Sequence, residues 1–178
     1  MYKLILVKHS LPEILPEIPA SEWHLSAEGR RRCQVLADEL SGHDPDLIFS
    51  SSEPKAQETA KIVAQQIVKS LFIATGLHEH ERKKVRFTNE EQFEASVKEF
   101  FEQPDALVFG EETAAQSLNR FSNAVYQLIS QNSDQNLVVV SHGAVITLFV
   151  ADNCGIEPFQ FWGRLDLPSF VVLSSLTL

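Results

Sequence analysis

The chain has 178 residues, 44% of them hydrophobic and 22% charged, the size and balance of one globular domain that buries a core without staples. Lys and Arg total 15 against 24 Asp and Glu, a net charge of −9. That excludes a nucleic-acid or anionic-membrane surface, which needs a cationic footprint, but not a small phosphorylated ligand served by a local cluster of cations.

The two cysteines, Cys33 and Cys154, stand outside any Cys-x-x-Cys pair and read as reduced thiols, so a cytoplasmic setting is expected. The N-terminal apolar run is too short for a signal-peptide core or a membrane span, and no membrane partner is expected. Oligomeric state is left open by the sequence.

Residues 2–10 contain an unbroken apolar run, Leu4-Ile5-Leu6-Val7, as in a strand buried on both faces. The run stops at Lys8-His9-Ser10, and Pro12 forbids further ladder pairing. A cation and a histidine thus sit at the carboxyl end of a strand, where open α/β sheets bind their ligands. Residues 11–20, with Pro12, Pro16 and Pro19, predict an extended loop beside His9. Ser26 reads as an N-cap with Glu28 in the first turn, opening a helix whose apolar stripe is Cys33, Leu36, Ala37 and Leu40 and which ends at Ser41-Gly42.

Residues 46–50 predict a second strand, running into Ser51-Ser52-Glu53-Pro54. Pro54 suits the first position of a helix over 54–68, and residues 71–74 predict a third strand. The order β-α-β-α-β implies a parallel sheet covered by helices. Residues 77–135 break that rhythm with a charged, histidine-rich cluster over 78–86, a helix over 90–101, a loop over 104–110 and a helix over 111–130. This stretch reads as a helical cap on the sheet within a single domain spanning 1–178. Residues 136–140 repeat the opening theme and run into Ser141-His142-Gly143, a helix over 144–153 follows, and residues 169–178 predict a last strand.

Three features point to chemistry. His9 and His142 each follow an apolar strand, so one parallel sheet brings both imidazoles to one edge. Ser50, Ser51 and Ser52, with Lys55 one turn into the following helix, combine hydroxyls, free backbone N–H groups and a cation into an anion site. Glu79 and Glu81 offer carboxylic acids able to protonate a leaving group beside the two histidines.

In this order, these segments resemble the histidine phosphatase superfamily, the fold of phosphoglycerate mutase and its phosphatase relatives. That family ends its first strand in Arg-His-Gly, here Lys8-His9-Ser10. Its Leu-Ser-x-x-Gly helix opening is matched by Leu25-Ser26-Ala27-Glu28-Gly29. Its Ser-Ser-Pro-x-x-Arg-Ala-x-Gln-Thr-Ala element is matched by Ser51-Ser52-Glu53-Pro54-Lys55-Ala56-Gln57-Glu58-Thr59-Ala60. Its Leu-x-Glu acid segment corresponds to Leu77-His78-Glu79, and its late Ser-His-Gly to Ser141-His142-Gly143.

The resemblance implies a three-layer αβα fold of the α/β class, with a mostly parallel central sheet of phosphoglycerate mutase type and a helical cap insertion. It implies His9 as a nucleophile that forms a phosphohistidine, His142 as a hydrogen-bond donor to the phosphoryl oxygens, and Glu79 as general acid and then base. Lys8, Lys55 and Gly143 would bind the phosphate. Both cations are lysines where the family uses arginine, which keeps the charge but loses the planar two-pronged fork. Ser10 in place of glycine would add a hydroxyl close to the phosphate, Glu81 is the second choice of acid, and Arg82 is a further source of positive charge. No cofactor is expected, and no metal-ligand spacing is present.

The expected activity is metal-independent hydrolysis of a small phosphorylated substrate or phosphopeptide. A phosphoglycerate mutase-type transferase and a catalytically weak phospholigand-binding module are the alternatives.

Overall fold

A computed structural model of the chain describes residues 3–85 and 89–174. The two apolar runs that precede the histidines form adjacent strands inside the sheet. β1 (Lys3–Lys8) and β4 (Leu137–Ser141) pair in parallel, and Leu4 to Val7 and Leu137 to Val140 are almost wholly shielded from solvent. β2 (Leu47–Ser50) pairs in parallel with β4 and β3 (Ser70–Ile73) with β2, while β5 (Ser169–Ser174) runs antiparallel along β1. The strand order is β3-β2-β4-β1-β5.

Alternate residues of each strand feed opposite layers, as the two-residue period of a strand requires. Ile5, Val7, Ile48, Val138 and Val140 pack against Leu36, Ala37 and Leu40 of α1 (Ala27–Ser41) and Ala56, Ala60 and Val63 of α2 (Pro54–Ile67). Leu4, Leu6, Phe49, Leu137 and Val139 pack on the other face. Their partners are Phe121, Val125 and Leu128 of one helix and Val145, Ile146 and Phe149 of another. These helices are named below after the cap helix α3 (Glu90–Glu102): α4 (Ala114–Gln131) and α5 (Gly143–Cys154). The fold is therefore a three-layer αβα arrangement around a mostly parallel sheet.

Several boundaries differ from those the sequence predicts. The last helix of the cap begins at Ala114 rather than 111, because Thr113 caps it in a reciprocal capping box with Gln116. Glu111 and Glu112 stay outside the helix and bind loop N–H groups instead. This α4 is a sheet-covering helix, so the part that overhangs the sheet edge is shorter than 77–135. The overhang centres on α3, whose Val97, Phe100 and Phe101 pack with Phe93, Phe109 and Trp162 against Ala144 and Leu148 of α5. A 3-10 turn at Ala20–Glu22 ends the proline loop, and a short α6 (Pro158–Trp162) precedes β5; neither is predicted. Tyr2, Arg86 and residues 175–178 of the predicted segments lie outside the described residues.

Candidate active site

Register alone brings the two histidines together. Lys8 stands opposite Ser141 in the β1–β4 ladder, and the ladder continues one step further as His9 N–H donates to Ser141 O at 2.9 Å. His9 and His142 are the next residues on adjacent strands, and their rings meet edge to face with centroids 5.1 Å apart. β2 ends at the same edge, where Ser51 N–H donates to Val140 O at 2.9 Å.

Both rings are buried, and burial is the first reason their pKa values fall well below the ordinary histidine value. For His9, the neighbouring His142 and Lys55 add to the depression, and Lys8 adds less. For His142 the Lys55 charge comes next, opposed by Glu79. His9 is therefore a neutral imidazole at pH 7. Its Nδ1 lies 2.8 Å from Ser10 O, a carbonyl that only accepts, so Nδ1 carries the proton and Nε2 keeps its lone pair. His142 Nε2 lies 2.8 Å from Ser51 Oγ, and His142 Nδ1 is buried with no hydrogen-bond partner among the described residues.

Glu79 comes from the loop after β3. Ser141 Oγ donates to Leu77 O at 2.7 Å, which fixes the chain two residues before the acid. The Glu79 carboxylate then accepts from Ala144 N–H (3.1 Å), Val145 N–H (3.2 Å) and His80 N–H (3.0 Å). It thus sits on the N-terminus of α5, where free N–H groups and the helix dipole favour an anion. Burial works to raise its pKa, but His142, His80, Arg82 and the Ala144 N–H outweigh it, and the carboxyl is held below its ordinary value.

A cavity of about 340 Å³ opens above this edge, lined by His9, Ser52, Lys55, Glu79, Arg82 and His142 among others. Four of the predicted positions stand differently from one another around it. Lys55 lines the cavity but is already engaged: its buried ammonium pairs with Glu53 and donates to Ala20 O at 2.6 Å. Lys8 does not line it, and its ammonium donates to Leu165 O at 2.6 Å. Burial lowers the Lys8 pKa, against the pull of Glu79 and Asp166. Gly143 lies against the Lys8 chain, where an added Cβ would come within 3.3 Å of Lys8 Cε and 3.2 Å of Trp162 Nε1. Glu81 lines the cavity on a half-exposed side chain, 3.7 Å from His78 Nε2.

Ser10 corrects an expectation. Its hydroxyl is fully buried and donates to Gly29 O at 2.8 Å, while its N–H donates to Thr59 Oγ1 at 3.0 Å. The side chain therefore points into the α1–α2 layer and ties the histidine turn to both helices. Gly29 must be glycine there, since a Cβ would meet Leu11 O at 2.1 Å.

Two residues at the site escape a reading of the sequence. Glu53 occupies the N-cap of α2 without capping it. Its carboxylate turns inward to pair with Lys55, accept the Glu79 N–H at 2.9 Å and approach His142 Nε2 at 3.6 Å. The available signal is an acid between Ser52 and Pro54, two positions before Lys55. Arg120, on α4, donates to Gly76 O (2.8 Å), His78 O (2.9 Å) and Glu79 O (3.2 Å) and pairs with Glu112 at 2.6 Å. It staples the acid loop to the sheet layer, and no local pattern marks it. Among the described residues, no group of three or more His, Cys, Asp or Glu side chains is placed to hold a metal ion.

Comparison with known proteins follows the same lines. The family described as the histidine phosphatase superfamily (branch 1) matches residues 7–175. Phosphoserine phosphatase 1 of Hydrogenobacter thermophilus is 26% identical over 179 residues, covering 91% of this chain and 81% of that protein. A mycobacterial glucosyl-3-phosphoglycerate phosphatase, solved with inorganic phosphate, superposes with a TM-score of 0.80 at 20% identity, covering 98% of this chain and 90% of that one. A phosphoserine phosphatase mutant from Entamoeba histolytica, solved with phosphoserine, gives 0.78 at 23% identity over 97% and 90% of the two chains.

Proposed function

The chain belongs to the histidine phosphatase superfamily (branch 1) and is an enzyme of that class, and on that premise we propose that it hydrolyses a small phosphomonoester through a phosphohistidine on His9. The observation that carries this reading is His9 itself. The ring is neutral, its proton is parked on Nδ1 against Ser10 O, and the unprotonated Nε2 belongs to a residue lining the cavity. A nucleophile in that state attacks phosphorus without first losing a proton.

The residues around it divide the remaining work. Phosphoryl transfer spreads charge over three equatorial oxygens, so catalysis is chiefly placement and charge stabilisation. With the Ser51 hydroxyl donating to His142 Nε2, the His142 proton sits on Nδ1, a buried donor whose acceptor is a phosphoryl oxygen. Lys55 and the N-terminal turn of α5 beginning at Gly143 supply positive potential at the same edge. Lys8 contributes through space from behind Gly143. Glu79 protonates the leaving alcohol. It is ionised in the free enzyme, and a phosphate dianion beside it raises its proton affinity as the substrate enters. The same carboxylate, once deprotonated, activates the water that hydrolyses the phosphohistidine.

The cavity volume suits a metabolite-sized ester. The phosphoserine and glucosyl-3-phosphoglycerate phosphatases that resemble the chain act on substrates of that scale by their names, and a small phosphorylated acid or sugar is the substrate class we favour. Free thiols at Cys33 and Cys154 agree with a reducing, cytoplasmic setting. Among the described residues, no helix is long and apolar enough to cross a membrane.

The test is release of phosphate from an aryl phosphate with EDTA present, with wild type and His9→Ala side by side. Turnover is expected in wild type and none in the variant, and acid-labile phosphate is expected on the wild-type protein after a rapid quench. Activity that survives His9→Ala removes His9 as nucleophile. Interconversion of phosphoglycerates with little phosphate release identifies a mutase instead.

A further inference from the structure

The lysines that replace the family's arginines leave a gap in the phosphate contacts. Lys8 is held by Leu165 O away from the cavity, and Lys55 is held between Glu53 and Ala20 O. Neither ammonium offers the planar pair of donors that matches two phosphoryl oxygens. Among the described residues lining the cavity, one guanidinium is present, that of Arg82.

Arg82 is built in an uncommon way. Its backbone is anchored on both sides: Glu81 N–H donates to Glu112 at 3.2 Å, and Lys83 and Lys84 N–H donate to Glu111 at 2.9 and 3.1 Å. Glu111 N–H returns a bond to Glu81 O at 2.7 Å, and His80 is held to Phe109 O at 2.8 Å. Gly110, at φ +102°, lets the two segments touch, since a Cβ there would meet Glu81 O at 2.3 Å and Arg82 Cβ at 3.1 Å. The guanidinium lies over the Phe93 ring, 4.7 Å from its centroid. The cation–π contact holds the guanidinium beside the ring without an ion-pair partner. Among the described residues the guanidinium N–H donors have no hydrogen-bond or ion-pair partner. The contrast with Arg120 is direct, because Arg120 binds three carbonyls and a carboxylate.

The charges that act on Arg82 through space are Glu79 and Glu53, and Arg82 in turn acts on Glu79, His80 and His142. Arg82 thus lines the same cavity as His9, Glu79 and His142, within reach of their charges.

We propose that Arg82 is the arginine of this phosphate site: a cap residue that grips the phosphoryl oxygens in place of the fork absent at positions 8 and 55. The phosphatase reading enters only through the identity of the anion. The cap thereby takes part in phosphate binding as well as enclosing the substrate, and Phe93 on α3 supports the grip from beside it.

Binding of inorganic phosphate to the full chain, followed by calorimetry, tests this apart from turnover. Arg82→Ala and Arg82→Gln are expected to weaken phosphate at least about tenfold, the loss of a charged hydrogen-bonded pair. Arg82→Lys is expected to recover only part of that loss, because the charge returns without the fork. Lys84→Ala, an exposed neighbouring cation, is expected to bind as wild type does. Affinities of the Ala and Gln variants within twofold of wild type overturn the proposal, as does wild type that fails to bind phosphate. Full recovery with lysine overturns the fork. If the Arg82 variants are impaired only on esters that carry a second anionic group, and not toward phosphate or an aryl phosphate, Arg82 reads the leaving group and the proposal fails. Phosphate bound through Arg82 without hydrolysis of any ester leaves the proposal standing and removes the phosphatase reading.

Discussion

The two halves of the site are held in place by different means. At the histidine edge, β-ladder register sets the geometry: Lys8 opposite Ser141 makes His9 and His142 neighbours, and Ser10, Thr59 and Ser51 add side-chain bonds to a placement already fixed. In the acid loop, residues 76–84 make no ladder contact of that kind. They are held by side chains from afar, with Arg120 on the carbonyls of 76, 78 and 79, Glu53 on the Glu79 N–H, and Glu111 and Glu112 on N–H groups beyond it. Ladders distribute their hydrogen bonds over many residues, so one substitution rarely breaks them. A loop clamped by a few charged groups concentrates its stability in those groups, since removing one leaves the others buried and unpaired.

That contrast can be broken at several points. The largest effect is expected from Glu79→Gln, which leaves one oxygen to accept at α5, sets an NH2 against the other N–H and removes the proton donor, lowering kcat by about 10²- to 10⁴-fold. Glu81→Gln is expected to cost much less, and a larger loss there, measured in the same aryl phosphate assay, would exchange the two roles. Next in size, Arg120→Leu strips three carbonyls and the Glu112 carboxylate of their partner, a loss of about 3–5 kcal/mol. Urea unfolding measures it, and inorganic phosphate binding is expected to weaken as well, because Arg120 holds Glu112, which anchors the segment that carries Arg82. Phosphate binding unchanged at the lower stability would show that the Arg82 segment stands without Arg120.

Acidification acts on the histidine edge first. His9 and His142 have native pKa values pushed well below 6.5, chiefly by burial, and His78 and His80 are lowered as well. Below pH 6.5 the unfolded chain takes up protons that the native state excludes, so stability falls with pH. The slope reaches about 1.4 kcal/mol per pH unit for each such histidine until its native pKa is reached. Glu79 and Glu112, held below 4.5, extend the loss in the same direction at lower pH. Urea midpoints from pH 8 to 5 check the sign, and a flat profile would remove the buried neutral histidines. The smallest effect belongs to Ser10→Ala, which deletes the bond to Gly29 O for about 1 kcal/mol and leaves kcat near wild type. A large fall in kcat without loss of stability would return the Ser10 hydroxyl to the phosphate.

What is legible in the sequence follows the same division. Leu4 to Val7 and Leu137 to Val140 announce buried strands because their pattern is local, and each carries its histidine at a position that pairing makes meaningful. The Ser26 cap and the Pro54 helix start are local signals too, and both stand where the sequence places them. The antiparallel course of β5 and the role of α4 as a sheet layer are not local, since they depend on which apolar face finds which surface. Glu53, Arg120 and the free fork of Arg82 are less visible still. A charged side chain reads alike in sequence whether it is solvated, structural or poised for a ligand.

The sequence by itself determined the mostly parallel αβα frame and the placing of His9 and His142 at strand ends, because periodicity and strand-end position are properties of short segments. Tertiary structure alone decided which cations are free. Lys55 is tied to Glu53, Lys8 to Leu165 O and Arg120 to the acid loop, while the Arg82 guanidinium makes no hydrogen bond among the described residues. The physical reason is that a charge is worth what its partners leave unneutralised, and those partners come from segments 30 to 160 residues apart or from two residues away, a choice made only once the chain is packed.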